Sequence, residues 1–255
     1  MEKDFTLKRY KKYLIEIKKQ EIPFLIYNQF IINQDLNKFC LIRHDVDRKP
    51  RLALKMAELE YDLEIKSTYY FRIKSVSFNP KIIKKIEKLG HEIGYHYESL
   101  SDCNGNKTDA VKDFKSNLSK LNKIAKISTC SMHGRPFKPF DNRDIWKIPK
   151  NHEILTKELG LLGEIYLDID YLDIAYINDT GRNWTSGKNN IRDKVESRIN
   201  ADFYSGQHLL QYLKGTPHKK IVFQIHPERW TDNFFHWWVQ QLKDFSINIL
   251  KKIIS

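Results

Sequence analysis

The chain has 255 residues, and 41% of them are hydrophobic, which is enough for a substantial core and excludes a predominantly disordered protein. Lysine and arginine total 44 against 32 acidic residues, so the net charge is +12 and anionic partners are favoured. Nucleic acid is not expected among them, because no recognition-helix motif or interleaved basic and aromatic pattern accompanies the charge.

Cysteine content and hydropathy bear on the compartment. Cys40, Cys103 and Cys130 are widely spaced and form no C-x-x-C pair, so neither a disulfide framework nor a cysteine zinc site is indicated. The first residues carry charges throughout, and no apolar run of about 18 residues occurs. We therefore expect a cytoplasmic protein without a transmembrane segment. The lysine-rich terminal helices leave peripheral contact with an anionic membrane surface open, beside the commoner explanation of a solvated helix face.

Short apolar runs rich in β-branched and aromatic residues alternate with segments of helical periodicity. A helix is predicted over about residues 5–20. The next predicted elements are strand 38–43, helix 51–63, strand 67–73, helix 81–90, strand 91–97, helix 110–124 and strand 127–133. Beyond residue 133 the pattern loosens, and the predicted elements are strands 164–170, 171–179 and 219–226, a helix over 205–214 and a final tryptophan-rich helix.

Repeated strand–helix units of this number predict an α/β protein, specifically a parallel (β/α) barrel that is incomplete or distorted. No glycine-rich phosphate loop follows any predicted strand, which disfavours an open nucleotide-binding sheet. No repeat, proline-rich linker or low-complexity block divides the chain. We therefore predict one domain over residues 1–255, with an N-terminal helical extension of about residues 1–35.

Polar residues fall where the predicted strands end. Asp45 and Asp47 follow the first strand, and His96, His133 and His226 end three later ones. Each has an ordinary explanation, because an aspartate after a strand is often a helix cap and a single histidine is often a core or loop residue. Together, at the carboxyl ends of separate strands, they predict an active site at that rim of the barrel.

The two aspartates stand two residues apart in His44-Asp45-Val46-Asp47. On an extended segment this spacing projects both carboxylates to one side, so that one can bind a metal while the other holds a proton. Imidazole and carboxylate together suit zinc or a similar divalent ion, which would supply a Lewis acid and an activated water. A helix cap plus a surface acid is the alternative explanation of this pair.

Four segments give the sequence a family resemblance. RHDVD, GHEIGYHYE, MHGRPF and QIHP resemble, in order, the first, second, third and last motifs of the polysaccharide deacetylase superfamily, also called the NodB-homology or carbohydrate esterase family four fold. The resemblance covers roughly residues 38–230 and implies a distorted (β/α) barrel of the polysaccharide deacetylase type. With the segment NDTGRNW, the pattern is most similar to the WbmS-like branch, which is associated with surface-polysaccharide loci.

The resemblance also implies residue roles. By motif, Asp45 corresponds to the general base, Asp47 and His96 to metal ligands, and His226 to the acid that protonates the leaving amine. Arg135 matches the arginine that pairs with the catalytic carboxylate in the family.

One departure concerns the metal site. The usual second motif is H-x-x-x-H, but Leu100 stands four residues after His96 and cannot bind a metal. Either His133 or Glu98 completes the site, or the metal is bound weakly or not at all. We favour His133, because it ends the neighbouring strand and imidazole suits the site. His91, at the start of its strand and hence at the opposite rim, is expected to be structural.

Three further residues are candidates for substrate binding. Arg182 and Trp184 follow a predicted strand at the same rim, where an arginine can bind an anionic group and a tryptophan can stack on a sugar. Tyr97 flanks the second motif and is assigned to the same carbohydrate surface. The competing explanations are a polar surface turn for the first two and core packing for Tyr97.

The function expected from the resemblance is that of a metal-dependent hydrolase. It would remove an N-acyl group from an amino sugar, on a nucleotide-linked or lipid-linked intermediate of surface-polysaccharide (O-antigen or capsule) biosynthesis. The expected cofactor is a divalent metal, zinc by ligand type. The alternative is a catalytically inactive glycan-binding or scaffold protein on the same fold, and Leu100 is the residue that supports it.

Overall fold

The computed structural model describes residues 3–135, 137–147, 152, 154–184 and 192–254. Its strands are β1 (Phe24–Leu25), β2 (Phe39–Val46), β3 (Thr68–Phe71), β4 (Glu92–Tyr97), β5 (Thr129–Met132), β6 (Gly163–Glu164), β7 (Ala175–Asn178) and β8 (Lys220–Ile225). Its α-helices are α1 (Leu7–Lys19), α2 (Tyr27–Ile32), α3 (Pro50–Asp62), α4 (Pro80–Lys88), α5 (Ser99–Asp102), α6 (Lys107–Asn122), α7 (Gly206–Gly215) and α8 (Phe234–Ile254).

The strands form one parallel sheet in the order β6-β5-β4-β3-β2-β8-β7, with β1 paired to β2 outside this path. The sheet curls with helices around it, and no pairing joins β6 to β7 in the part of the chain that the structure describes. The protein is therefore an incomplete, distorted (β/α) barrel, which confirms the predicted fold class. The predicted N-terminal helical extension contains β1 as well as α1 and α2.

Alternation along β2 separates two hydrophobic clusters. Phe39 and Leu41 belong to one cluster, and Cys40 and Ile42 belong to the other, which also contains buried side chains of α1 and α7. Successive side chains of a strand point to opposite faces of a sheet. The same alternation sends Asp45 into the barrel, where it lines a cavity at the carboxyl ends of the strands.

The strand predicted over residues 164–170 is wrong for most of its length. Only Gly163–Glu164 is a strand, and a turn follows it. Glu164 Oε2 accepts the backbone N–H groups of Tyr166 and Leu167, while the Asp168 carboxylate accepts the N–H of Glu164 at 2.6 Å. Acidic side chains thus satisfy backbone groups that a longer strand would have paired with a neighbouring strand.

Candidate metal and active site

Three predicted ligands meet at the rim of the barrel. Asp47 follows β2, His96 lies in β4 and His133 follows β5, and one ligand atom from each lies within 4.8 Å of the others. Asp47 Oδ1 is 3.4 Å from His96 Nε2 and 3.3 Å from His133 Nε2. The strands belong to one parallel sheet, and their carboxyl ends bring these residues together at one rim, as the sequence predicts.

Both imidazole rings are held through their Nδ1 atoms. His96 Nδ1 lies 3.0 Å from the carbonyl oxygen of Ser131, and His133 Nδ1 lies 3.1 Å from Glu98 Oε2. A hydrogen bond at Nδ1 fixes the ring and leaves the lone pair of Nε2 for a metal. Glu98 is therefore hydrogen-bonded to His133, and the group of possible ligand atoms contains His133 and not Glu98.

The spacing and chemistry of these atoms fit a divalent ion such as zinc. Zinc bonds of about 2.0–2.1 Å in tetrahedral geometry place neighbouring ligand atoms about 3.3 Å apart, close to the two distances at Asp47. Asp47 Oδ1 is also a buried carboxylate oxygen without a hydrogen-bond donor. Three protein ligands beside a cavity leave a coordination position for water or substrate, as catalytic zinc sites do.

Leu100 does not take part in this site. Its side chain is buried in the hydrophobic core, in the short helix α5. His133, which follows the neighbouring strand β5, is the third residue of the possible ligand group.

The charges of the three residues depend on one another. Burial raises the pKa of Asp47, but His133 and His96 outweigh it and hold that pKa well below its usual value. Burial lowers the pKa of His133, but the carboxylates of Asp47 and Glu98 raise it to about 9 overall. Without a metal, His133 is therefore protonated at neutral pH, and binding of a cation must displace that proton.

Asp45 is held by neighbours inside the barrel. Arg43 Nη2 donates to Asp45 Oδ2 at 2.6 Å and Arg43 Nε donates to Oδ1 at 3.2 Å, while Gln224 Nε2 donates to Oδ2 at 2.7 Å. Burial raises the pKa of Asp45, but Arg43 dominates the outcome and holds that pKa well below its usual range.

The expectation that Arg135 pairs with the catalytic carboxylate is wrong. Its guanidinium donates to Glu98 Oε2 at 2.7 Å and to Asp102 at 3.4 Å, whereas Arg43 is the arginine that binds Asp45. Arg135 is on the loop after β5, from which it reaches the carboxylate of Glu98. Arg43 lies on the same strand as Asp45 and on the same face of that strand. Arg135 still lines the cavity.

His226 and Asp179 form a buried pair at the ends of β8 and β7. His226 Nδ1 lies 2.6 Å from Asp179 Oδ1, and Asp179 also accepts hydrogen bonds from Arg229 and Trp230. Burial and Arg229 lower the pKa of His226, but Asp179 offsets both and the net pKa is raised. His226 thus presents Nε2 to the cavity with its ring orientation fixed.

A cavity of about 530 Å³ joins these groups. Asp45, Asp47, His96, His133 and His226 all line it. Seven cationic side chains line it as well, against three aspartates: Arg48, Arg72, Arg135, Lys138, Arg192, Arg229 and Lys243. The cavity is therefore suited to a polar substrate that carries negative charge.

Trp184 and Arg182 do not face this cavity, so their assignment to substrate binding is wrong for this structure. Trp184 is 4% exposed, stacks on Phe5 with ring centroids 5.0 Å apart and donates its Nε1–H to Asp4. Arg182 is 9% exposed and lies over the rings of Phe5 and Trp237. The N-terminal segment covers both side chains, and α8 also covers Arg182.

Tyr97 is likewise a core residue and not a substrate contact. It neighbours His96 in β4, and strand alternation points its ring to the opposite face, against Phe114 of α6. Its hydroxyl accepts a hydrogen bond from Trp146 Nε1 at 2.8 Å and is buried.

Sequence reasoning missed Arg43, Asp179 and Gln224. A signal existed for Arg43, because a residue two before Asp45 on the same strand must share its face. Asp179 and Gln224 lie at or near the carboxyl ends of β7 and β8. The same position at the end of a strand identified Asp45, His96 and His226 as candidates for the site.

No protein-family model matches the chain, and no curated protein sequence matches it. Several solved structures of family 4 carbohydrate esterases are similar in arrangement. A pseudoenzyme of this family from Bacillus anthracis is 14% identical, with a TM-score of 0.45 over 85% of this chain and 60% of that chain, less than two thirds of its length. PdaA of Bacillus subtilis is 16% identical, with a TM-score of 0.45 over 93% and 82% of the two chains. An esterase of Streptococcus mutans is 14% identical, with a TM-score of 0.46 over 89% and 86%.

Proposed function

We propose that the protein is a metal-dependent hydrolase that removes an N-acyl group from an amino sugar. The substrate we propose is a nucleotide-linked or lipid-linked intermediate of surface-polysaccharide biosynthesis, handled in the cytoplasm. The choice of an acylated amino sugar as substrate rests on the family resemblance of the motifs RHDVD, GHEIGYHYE, MHGRPF and QIHP.

One structural observation supports the assignment as a hydrolase. The ligand atoms of Asp47, His96 and His133 lie at the spacing of zinc ligands on a cavity that is also lined by Asp45 and His226. A metal site that shares a cavity with a carboxylate and a hydrogen-bonded histidine supplies the groups that amide hydrolysis needs.

Each side chain has a part that its contacts support. When bound by Asp47, His96 and His133, a divalent cation supplies a Lewis acid and lowers the pKa of water. Asp45 Oδ1 accepts one hydrogen bond, from Arg43, and keeps a lone pair with which to take a proton from a water in the cavity.

His226 is assigned the opposite proton transfer. Asp179 raises the pKa of His226, which favours the protonated ring, and it fixes Nδ1 so that Nε2 can deliver a proton to the departing nitrogen.

The cations of the cavity support a phosphate-bearing carrier. Arg72, Arg135 and Arg229 are engaged by carboxylates at 2.7 to 3.0 Å, whereas among the described residues the carboxylate oxygens nearest to Arg48 and Arg192 lie at 3.4 and 3.8 Å. Arg192 also donates to the carbonyl oxygen of Lys138 at 3.0 Å, which does not neutralise its charge. Guanidinium charges without a carboxylate at hydrogen-bond distance in the described part of the chain can attract the phosphates of a nucleotide or lipid carrier.

The test is metal content followed by turnover. We expect a divalent ion in the protein after reconstitution, and release of the acyl group in a screen of acylated nucleotide sugars and lipid-linked sugars. Asp45→Asn should keep the ion and lower turnover by roughly 10²–10⁴-fold, the usual worth of a general base. Negligible metal occupancy by elemental analysis would contradict the proposal.

A catalytically inactive glycan-binding protein is the second candidate, and the state of Asp45 favours it. Arg43 and Gln224 hold this carboxylate, and its low pKa makes it a weak base. This candidate predicts that acylated sugars bind without turnover in the metal-loaded protein, and that Asp45→Asn leaves their affinity unchanged.

A further inference from the structure

Helix α8 places polar side chains toward the protein body, whereas an ordinary surface helix places apolar ones there. Gln240 and Asp244 point toward the protein body and are almost fully buried, and Asn248 donates a hydrogen bond to the carbonyl oxygen of Gly181 at 2.8 Å. These residues are four apart and form one stripe along the helix. Polar side chains therefore make up the seam where apolar ones are usual.

The outward face of α8 is apolar. Its large hydrophobic side chains are between 44% and 70% exposed and recur at helical spacing: Phe234, Phe235, Trp238, Val239, Leu242, Phe245, Ile249 and Leu250. Trp238 is among them, whereas its neighbour Trp237 donates to the carbonyl oxygen of Asp4. A continuous apolar surface of this kind marks a contact with another apolar phase.

The charges around this face are positive. Asp244 is the one acidic residue of α8, and it is buried, so the helix exposes no carboxylate. Lys3 lies 4.0 Å from the ring of Phe234, and Lys243 is exposed beside Leu242. Lys251 and Lys252 follow in the sequence.

We propose that α8 binds the surface of an anionic lipid bilayer. Apolar side chains flanked by lysines are the composition of helices that lie in the interface between lipid headgroups and acyl chains. No helix in the described part of the chain is long and apolar enough to cross a membrane. A second copy of the chain fits less well, because it would bring two lysine-flanked faces together without an exposed carboxylate on either helix.

The same helix borders the cavity. Lys243 and Ile247 of α8 line it, so the cavity lies beside the helix of the proposed membrane contact. If the proposed function holds, this position of the cavity favours a sugar carried on a membrane lipid over one carried on a soluble nucleotide. This step rests on the proposed function, whereas the membrane contact itself does not.

The experiment is vesicle flotation of the full chain. We expect binding to vesicles of phosphatidylcholine with equimolar phosphatidylglycerol, weaker binding to phosphatidylcholine alone, and release by salt. The double variant Leu242→Glu, Phe245→Glu should lose about tenfold or more of the affinity with an unchanged melting temperature, because both side chains are over 60% exposed. Tyr204→Glu is the matched control, since Tyr204 is 94% exposed outside α8.

Three results would overturn the proposal: no binding to anionic vesicles, equal binding by the double variant, or a stable dimer in light scattering that the double variant dissociates. Metal content and turnover of a soluble acylated sugar, measured on the same variants, keep the two proposals apart. Vesicle binding without hydrolysis would remove the proposed function and leave the membrane contact standing.

Discussion

Two buried clusters in this protein combine histidine with carboxylate, on opposite faces of β2. In the outer one, which we call the Glu60 cluster, both carboxylate oxygens of Glu60 have two hydrogen-bond partners each. The Glu60 carboxylate is bonded by Tyr10, by His44 at 2.6 Å, by Ser67 at 2.5 Å and by Tyr69 at 2.8 Å. His91 completes the cluster, with Nε2 bonded to the carbonyl oxygen of Ala57.

The cluster of Asp47, His96 and His133 is less completely bonded. Asp47 Oδ1 makes no well-formed hydrogen bond and faces only the two Nε2 atoms, at 3.3 to 3.4 Å. The Glu60 cluster is sealed, whereas this one opens on the cavity. Residue type alone therefore does not identify a metal site. Unused lone pairs beside a solvent path do.

Asp47→Asn tests the open cluster and has the largest expected effect. An amide oxygen is a poor, uncharged ligand, so metal affinity should fall by more than about 100-fold. This loss is larger than the 10- to 100-fold loss of affinity that is typical when only the hydrogen-bond partner of a ligand is removed. The melting temperature of the metal-free protein should stay close to that of the wild type. Chelator competition measures the affinity, and excess zinc should restore part of the activity by mass action. Unchanged affinity would remove Asp47 from the ligand set.

Glu60→Gln tests the sealed cluster. The Glu60 carboxylate takes part in four buried hydrogen bonds, and the amide of Glu60→Gln leaves some of their donors without an acceptor, so the change should cost about 2 kcal/mol of the free energy of unfolding. Denaturant titration measures this, and Glu64→Gln, which alters an exposed ion pair with Lys18, should change little. The folded fraction of Glu60→Gln should bind metal like the wild type. A weakened metal site in a stable variant would mean that the two clusters are coupled.

Glu98→Gln sharpens the comparison, because Glu98 touches the metal site without belonging to it. The carboxylate orients His133, so we expect a 10- to 100-fold loss of metal affinity. Asp102→Asn is the matched control, since Asp102 shares Arg135 with Glu98 but does not bond to His133. Equal losses in both variants would mean that the network of charges matters and not the hydrogen bond to the ring.

Metal affinity should also depend on pH. The pKa of His133 is about 9 in the metal-free protein, and a metal requires the neutral ring. Below that pKa the proton competes with the metal, so affinity should rise about tenfold per pH unit from neutral pH toward 9 and then level off. Isothermal titration in buffers of different ionisation enthalpy would count the proton released. An affinity that is flat over this range would show that His133 is already neutral.

The strands and the position of the site follow from the sequence, because both depend on local patterns. β-branched and aromatic runs mark β2 to β5 and β8, and polar residues at their carboxyl ends must share one rim. Side-chain partners across loops depend on tertiary packing instead. Arg135 binds Glu98, and Trp184 stacks on Phe5 of the N-terminal segment, and neither contact can be read from the periodicity or spacing of the sequence.

The pairing of β2 with β8 has a consequence for how the protein folds. Phe39 pairs with Lys220 and His44 with Ile225, so the middle of the sheet is closed by strands far apart in sequence. Such non-local pairing is slow, and it completes the site only when the last strand arrives, because Gln224 holds Asp45. Until then, the apolar strand FCLIRHDV has one unpaired edge. Folding intermediates of this protein should therefore aggregate through β2, and chains shortened before residue 220 should be insoluble.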